Sequence, residues 1–209
     1  MDTSTKIINC ACVIYGNAYS WDYVERLYNM LSRNLTATVR LHVYTEADRS
    51  VPAHMIKHEL KEWPGISGPR RSWWYKLQLF DSQHHAGDLL YFDLDTVIVR
   101  DITWITELPT QHLWTIRDFK RLQDKNFSGM NSSIMWWHVP QYDWLWQRFK
   151  TSNIDQIVQQ HRQGDQDYIM KQLTSKHVRF FEDQLVQSWR WQAFEGGTIF
   201  PSKRTHSPG

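Results

Sequence analysis

The run Ile7-Ile8-Asn9-Cys10-Ala11-Cys12-Val13-Ile14 is apolar at all but one position. A strand of that kind needs cover on both faces, as the strands of a parallel sheet do. The loop Tyr15-Gly16-Asn17-Ala18-Tyr19 follows, and Ser20 stands where it can cap a helix. In that helix Val24, Leu27, Tyr28 and Leu31 recur at the spacing of one buried face. Leu41-His42-Val43-Tyr44-Thr45 reads as the next strand. This opening is a βαβ-like unit, which implies a ligand crevice beyond the carboxyl ends of its strands.

The alternation continues. Residues 46–72 carry Pro52, Pro64, Gly65, Gly68 and Pro69 and read as irregular connection, after which helical periodicity returns over Trp73–Phe80. Gly87–Asp95 is an apolar strand that ends in acid, and Leu113–Ile116 and Ser133–Trp137 are further strand candidates. Tyr142, Leu145, Trp146 and Phe149 mark a helix, and Ile154, Ile157 and Val158 a short one. After a break at Gly164, Asp165 can cap a last helix through Ile169 and Leu173. With no repeat, low-complexity tract or linker, residues 1–209 are expected to form one α/β domain with a mostly parallel central sheet flanked by helices.

Composition excludes several function classes. The chain has 209 residues, 41% hydrophobic and 22% charged, which suits one folded domain rather than a disordered chain. Lys+Arg 24 against Asp+Glu 22 gives a formal net charge of +2, so no electrostatic excess points to nucleic acid. No apolar run approaches the ~20 residues of a membrane span, and the N-terminus lacks the parts of a secretory signal. Cys10 and Cys12 fall on one side of a strand, poorly placed for a disulfide, and read as buried small hydrophobes. That usage fits a reducing, cytoplasmic compartment. Twelve Trp stand beside 9 Tyr and 9 Phe. Most are expected to fill the core, Trp136-Trp137 among them, while flat rings at a groove would suit sugars or bases.

The sharpest chemical signal is Leu90-Tyr91-Phe92-Asp93-Leu94-Asp95-Thr96-Val97. A buried strand ending in Asp-x-Asp places two hard oxygen ligands at the sheet's ligand-binding edge. That arrangement suits Mg²⁺ or Mn²⁺, especially an ion that also holds a diphosphate. Two chemistries use it. The sequence satisfies the D-x-D-x-[TV] pattern of haloacid-dehalogenase-like phosphatases, in which Asp93 would be the phosphoryl-accepting nucleophile. It equally satisfies the metal motif of GT-A glycosyltransferases. A phosphatase of that type carries its nucleophile on the first strand, whereas here a βαβ-like unit precedes it.

The rest of the chain resembles the GT-A group, specifically the glycogenin-like and lipopolysaccharide-glycosyltransferase-like family eight. Residues 7–19 are similar to the family's first strand and nucleotide loop, with Tyr15, Gly16 and Tyr19 near the base. Trp74-Tyr75-Lys76-Leu77 resembles its aromatic-x-Lys-Leu helix, and Asp93-Leu94-Asp95 its metal motif. Asn131-Ser132-Ser133-Ile134 resembles Asn-Ser-Gly-Val with Ser133 in place of glycine, and Gly164-Asp165-Gln166-Asp167 resembles the Gly-Asp-Gln block.

The resemblance implies a metal-dependent enzyme that moves a sugar, with retention, from a nucleotide diphosphate-sugar (UDP-linked) to a carbohydrate, lipid-linked or protein acceptor. It assigns Asp93 and Asp95 to Mn²⁺ or Mg²⁺, Lys76 to donor phosphate or sugar, and Asp165 and Gln166 to the donor sugar. Leu94, Asn131 and Ser132 would line the donor site. The family closes with His-x-x-Gly-x-x-Lys-Pro, whose His is the third metal ligand. Only His206-Ser207-Pro208-Gly209 matches it here, so His206 completes the site, or the His belongs to a C-terminal segment the domain lacks, or water takes that position. A carbohydrate- or nucleotide-binding module without turnover is the reading from another class. Arg70-Arg71 could hold donor phosphate, Trp189-Arg190-Trp191 could form an acceptor platform, and His84-His85 reads as a polar loop.

Overall fold

A seven-stranded sheet organises residues 6–63, 66 and 71–193, which the computed structural model describes. Strand β1 (Ile7–Val13) lies parallel between β2 (Thr38–Thr45) and β4 (Asp88–Phe92), and β3 (Ile56–Glu59) extends the β2 edge in parallel. Beyond β4, β6 (Met130–His138) pairs antiparallel with β4 and with β5 (Leu113–Arg117), and β7 (Val178–Phe180) pairs parallel with β5. The order is β3-β2-β1-β4-β6-β5-β7, an α/β sheet that is mostly parallel. Because β6 runs against β4, it begins where β4 ends. The Asp93 N–H continues the pairing to Ser133 O at 2.8 Å, so the Asp-x-Asp segment and Asn131-Ser132 share one edge.

Alternate residues feed two cores, one on each sheet face. Cys10, Cys12, Leu90 and Phe92 pack with Val24, Leu27 and Leu31 of α1 (Trp21–Asn34). Ala11, Leu89, Tyr91, Met135 and Trp137 face α2 (Val139–Thr151) and α4 (Asp165–Gln172), with α3 (Ile154–Gln160) flanking them. Trp136 and Trp137 are buried as expected, one on each face. Both cysteines are free and buried, and burial pushes the Cys12 thiol up to about 12. No helix among the described residues is long and apolar enough to cross a membrane.

Several local expectations change. Ser20 occupies the N-cap position of α1 but makes no side-chain cap bond. Ser72–Phe80 is a 3-10 helix in which every side chain from Trp74 onward is buried. Enclosed on all sides, it has no polar face to mark its period. The last helix starts at Asp165, so Gly164 and not Asp165 is its N-cap. Trp189–Ala193, which carries the Trp189-Arg190-Trp191 run, forms a π-helical turn with Trp189 exposed.

The pair His84-His85 is not a solvated loop. It packs half-buried against His42 and His58 of β2 and β3, whose ring nitrogens lie 2.8 Å apart. His85 also meets the Asp88 carbonyl, and His84 lies 3.8 Å from the buried Asp81 carboxylate. Burial, with repulsion from His85, His58 and Arg40, lowers His42 to about 3; burial, with His84 and His85, lowers His58 to about 4. Both folded-state values lie below the ordinary 6.5, so on acidification the unfolded chain binds these protons first. Their contribution is intact above about pH 6.5 and is lost as the pH falls toward about 4 and then 3. The urea midpoint is expected to drop between neutral and mildly acidic buffer, and to drop less in His58→Gln. An equal acid loss in both proteins would remove the histidines from the account.

Candidate active site

Four side chains from four separate segments meet at the carboxyl edge of β4. The Lys76 ammonium lies 2.8 Å from Asp93 Oδ1 and 3.9 Å from Asp165 Oδ2, and it donates to Ser132 Oγ at 3.1 Å. The Ser132 hydroxyl in turn donates to Asp165 Oδ2 at 2.7 Å. Tyr91 OH donates to Asp93 Oδ1 at 2.6 Å. Lys76 and Asp165 are only 8% and 4% exposed, whereas the Asp93 side chain keeps 23% of its surface open. Lys76 comes from the 3-10 helix, Asp93 from the end of β4, Ser132 from the start of β6, and Asp165 from the first turn of α4.

Gly164 makes the last placement possible. Its φ is +83°, and a Cβ there would lie 2.7 Å from the Trp73 ring nitrogen, so a side chain is excluded twice over. The chain can therefore turn sharply and aim Asp165 inward.

The two buried carboxylates are not equivalent. Burial raises Asp93, but the Lys76 ammonium and the Tyr91 hydroxyl outweigh it, and its carboxyl is held below the usual range. At Asp165 burial prevails over Lys76 and Ser132, and its carboxyl is raised. Burial also opposes the charge on Lys76, yet Asp165 and Asp93 hold its ammonium above the ordinary value. The cluster thus joins a firmly ionised carboxylate at the crevice to a second one that takes a proton more readily.

The two residues after Asp93 diverge. Leu94 is buried in the core, while Asp95 is exposed and accepts from Tyr19 OH at 3.2 Å. Burial first, then the nearby Asp95 charge, pushes the Tyr19 hydroxyl up to about 12, so it stays a donor. On the same loop, the Gly16 N–H donates to Glu46 and its carbonyl accepts from Arg49 at 2.7 Å. Although burial opposes its charge, Arg49 and that N–H bring the Glu46 carboxyl down to about 2. The Tyr15 ring packs on Tyr75, with centroids 4.4 Å apart.

Other expected residues are placed differently. Gln166 does not join the Lys76 cluster; its amide donates to Asp118 Oδ2 at 3.1 Å. The Asn131 side chain accepts from the Ser133 N–H at 3.0 Å and so shapes its own strand. Arg71 ends up at the start of the 3-10 helix. Arg70 and His206 lie outside the described residues. Asp118, buried at the end of β5, escaped the sequence reading. The signal was there: Leu113-Trp114-Thr115-Ile116 is another apolar strand that runs into an acid.

Asp93 and Asp95 offer hard carboxylate oxygens from one strand end, the donor chemistry that Mg²⁺ and Mn²⁺ take. Among the described residues no group of three His, Cys, Asp or Glu side chains gathers as a cation site. Asp93 Oδ1 is taken up by Lys76 and Tyr91, so what the pair could offer an ion is the second Asp93 oxygen and the exposed Asp95 carboxylate.

No protein-family model matches the sequence, and no curated protein is similar to it by sequence. Solved structures do match. The glycosyltransferase GlyE of Streptococcus pneumoniae TIGR4 superposes with a TM-score of 0.60 at 14% identity, over 85% of this chain and 46% of GlyE. The galactosyltransferase LgtC, solved with donor and acceptor sugar analogues, matches with a TM-score of 0.56 at 15% identity, over 85% of this chain and 74% of LgtC. The bifunctional glycosyltransferase WbbM gives 0.55 at 12% identity, over 87% of this chain and 39% of WbbM. The chain spans less than half the length of GlyE and of WbbM. At these identities the shared feature is the GT-A fold.

Proposed function

We propose that this chain is a glycosyltransferase that moves a sugar from a nucleotide diphosphate-sugar, UDP-linked, to a carbohydrate-bearing acceptor, with retention. The observation that carries the reading is the Asp93–Lys76–Ser132–Asp165 cluster at the carboxyl edge of a GT-A sheet. Mn²⁺ or Mg²⁺ held by Asp93 and Asp95 would offset the charge of the donor diphosphate and of the departing nucleoside diphosphate. Tyr19 orients Asp95 for that task, and the Arg49–Glu46 pair fixes the loop on which the nucleotide rests. Lys76 keeps two carboxylates side by side in one fixed geometry, as electrostatic catalysis requires. Asp165 is the group set to face positive charge at the anomeric carbon. Two free cysteines fit a reducing compartment, and we place the protein in the cytoplasm.

Strand order argues against the phosphatase reading, because Asp93 follows the fourth strand and its neighbour β6 is antiparallel. The direct test is calorimetric titration of UDP with and without Mn²⁺, joined to UDP release from a panel of UDP-sugars. Metal-requiring UDP binding with release is expected. Hydrolysis of p-nitrophenyl phosphate that Asp93→Asn abolishes would instead establish the phosphatase, and sugar binding indifferent to metal and nucleotide the module.

Asp95→Asn makes the assignment sharper. Asp95 is exposed, and among the described residues its carboxylate accepts a hydrogen bond from Tyr19 alone, so the substitution should leave the fold intact. UDP affinity in Mn²⁺ is expected to fall by about ten-fold or more, equivalent to at least ~1.4 kcal/mol, while metal-free binding stays the same. Undiminished Mn²⁺-dependent affinity would take Asp95 out of the metal site.

A further inference from the structure

The same edge of the sheet carries a second concavity, two to three strands away from Asp93. Arg117, Arg121, Lys125, Phe127, Ser128 and Phe180 line a cavity of about 350 Å³, within the ~300–1,000 Å³ range of small-molecule sites. Its walls come from the end of β5, the loop that returns to β6, and the end of β7.

Three cations and two aromatic rings converge there. Arg121 is already spent: it pairs with Asp183 at 3.1 Å and donates to the Arg117 and Asp118 carbonyls at 3.2 and 3.1 Å. It builds the wall. Arg117 is exposed and reaches Asp183 only at 3.9 Å, with its guanidinium 5.0 Å above the Phe180 ring. Lys125 forms no ion pair among the described residues. Two cations thus line the cavity with little compensation, beside Phe180, whose ring lies under Arg117, and Phe127, whose ring has the Lys120 ammonium 5.3 Å from its centroid. Phe127 is seated closely: a Cβ on Gly129 would lie 2.5 Å from its ring.

The cavity lies on the side of the candidate active site that α4 covers. Asp118 follows Arg117 in the chain and accepts from Gln166, which follows Asp165. A smaller cavity lined by Asp118 and Gln166 adjoins the basic one through their shared wall, Phe127. In the sheet order the Tyr15–Tyr19 loop lies on the β1 side of Asp93, and the basic cavity on the β5 and β7 side. A nucleotide on the first flank leaves the second for the other substrate.

We propose that this cavity is an acceptor subsite for a sugar that carries an anionic group, a phosphate monoester or a carboxylate. Arg117 and Lys125 hold the anion through charge-assisted hydrogen bonds, and the Phe127 and Phe180 rings border the sugar as apolar walls. The assignment of the site to an acceptor rests on the glycosyltransferase reading; its preference for an anionic sugar does not.

The test compares glucose 6-phosphate, glucuronate, glucose and inorganic phosphate by calorimetry and by chemical-shift perturbation, on wild type and on Arg117→Gln/Lys125→Gln. That pair leaves the Arg121 wall untouched. At least one anionic sugar is expected to bind ten-fold or more tightly than glucose and than inorganic phosphate, with shifts at Phe127 and Phe180. The double variant should lose that preference and keep UDP binding in Mn²⁺ unchanged. Glucose 6-phosphate alone showing the preference identifies a phosphorylated acceptor, and glucuronate alone an acidic sugar. Equal binding of glucose, equal binding of inorganic phosphate, or undiminished affinity in the double variant would overturn the subsite. Loss of UDP binding in the variant would overturn it too, by making the cavity part of the donor site. Absence of UDP binding in wild type would overturn the glycosyltransferase reading instead, whatever the anionic sugars do.

Discussion

Lys76→Met is expected to lower the stability of the protein by about 3 kcal/mol at neutral pH, since removing one partner of a buried ion pair leaves its charge uncompensated. Methionine fills the volume of the lysine stem, so packing changes little. The loss is electrostatic. Asp93 Oδ1 at 2.8 Å and Asp165 Oδ2 at 3.9 Å share one ammonium, and without it two desolvated carboxylates face each other. The size is set at the low end because Asp93 retains some solvent contact. Urea denaturation at neutral pH measures it.

The pH dependence carries the sign. In wild type the Asp93 carboxyl titrates below its ordinary 3.8. Its stabilisation is therefore present above that value and lost as the pH falls through the folded-state one. In Lys76→Met the carboxylates are destabilising while ionised, so protonation relieves the strain. The two proteins should converge as the pH is lowered through the carboxylate range. Equal stability at neutral pH would show that Lys76 does not bind this cluster together.

What the sequence revealed and what it hid follow from the range of the forces involved. β1, α1 and β4 were readable because each buries a face whose period is written locally: the continuous run at Ile7–Ile14, the heptad-like spacing of Val24, Leu27 and Leu31, and the apolar strand that stops at Asp93. β3 was not. Ile-Lys-His-Glu is a short edge strand whose charged residues mark an edge but no interior. Trp73–Phe80 reads as helical, but with every side chain from Trp74 onward buried no polar face tells a 3-10 period from an α-helical one. At the site, resemblance could name Lys76, Asp93, Ser132 and Asp165 one at a time. That Ser132 bridges Lys76 to Asp165 depends on β6 running antiparallel beside β4, a pairing that no local pattern states. The same limit hid the histidine stack, whose members meet only once the sheet has assembled.

Asp165→Asn is expected to leave the fold intact and reduce kcat by about 100-fold or more, the scale of removing one preorganised electrostatic contact. The N-cap of α4 is Gly164, so no cap is lost with the carboxylate. Asn has the same shape and can still accept from Ser132. Burial already works against the Asp165 charge, so a neutral side chain there costs the folded state little. Any large effect must then come from the reaction. A negative charge that faces positive charge developing at the anomeric carbon acts mainly in the transition state. Its loss should appear in kcat while donor affinity stays near that of wild type. Release of UDP from a donor sugar by water, measured without an acceptor, reports the same step and keeps acceptor binding out of the result. An Asp165→Asn protein that turns over at the wild-type rate would return Asp165 to a purely structural role, holding Lys76 and Ser132 in place. A variant that loses donor affinity in proportion to kcat would make it a donor-binding group instead, since an interaction equally strong before and during the reaction accelerates nothing.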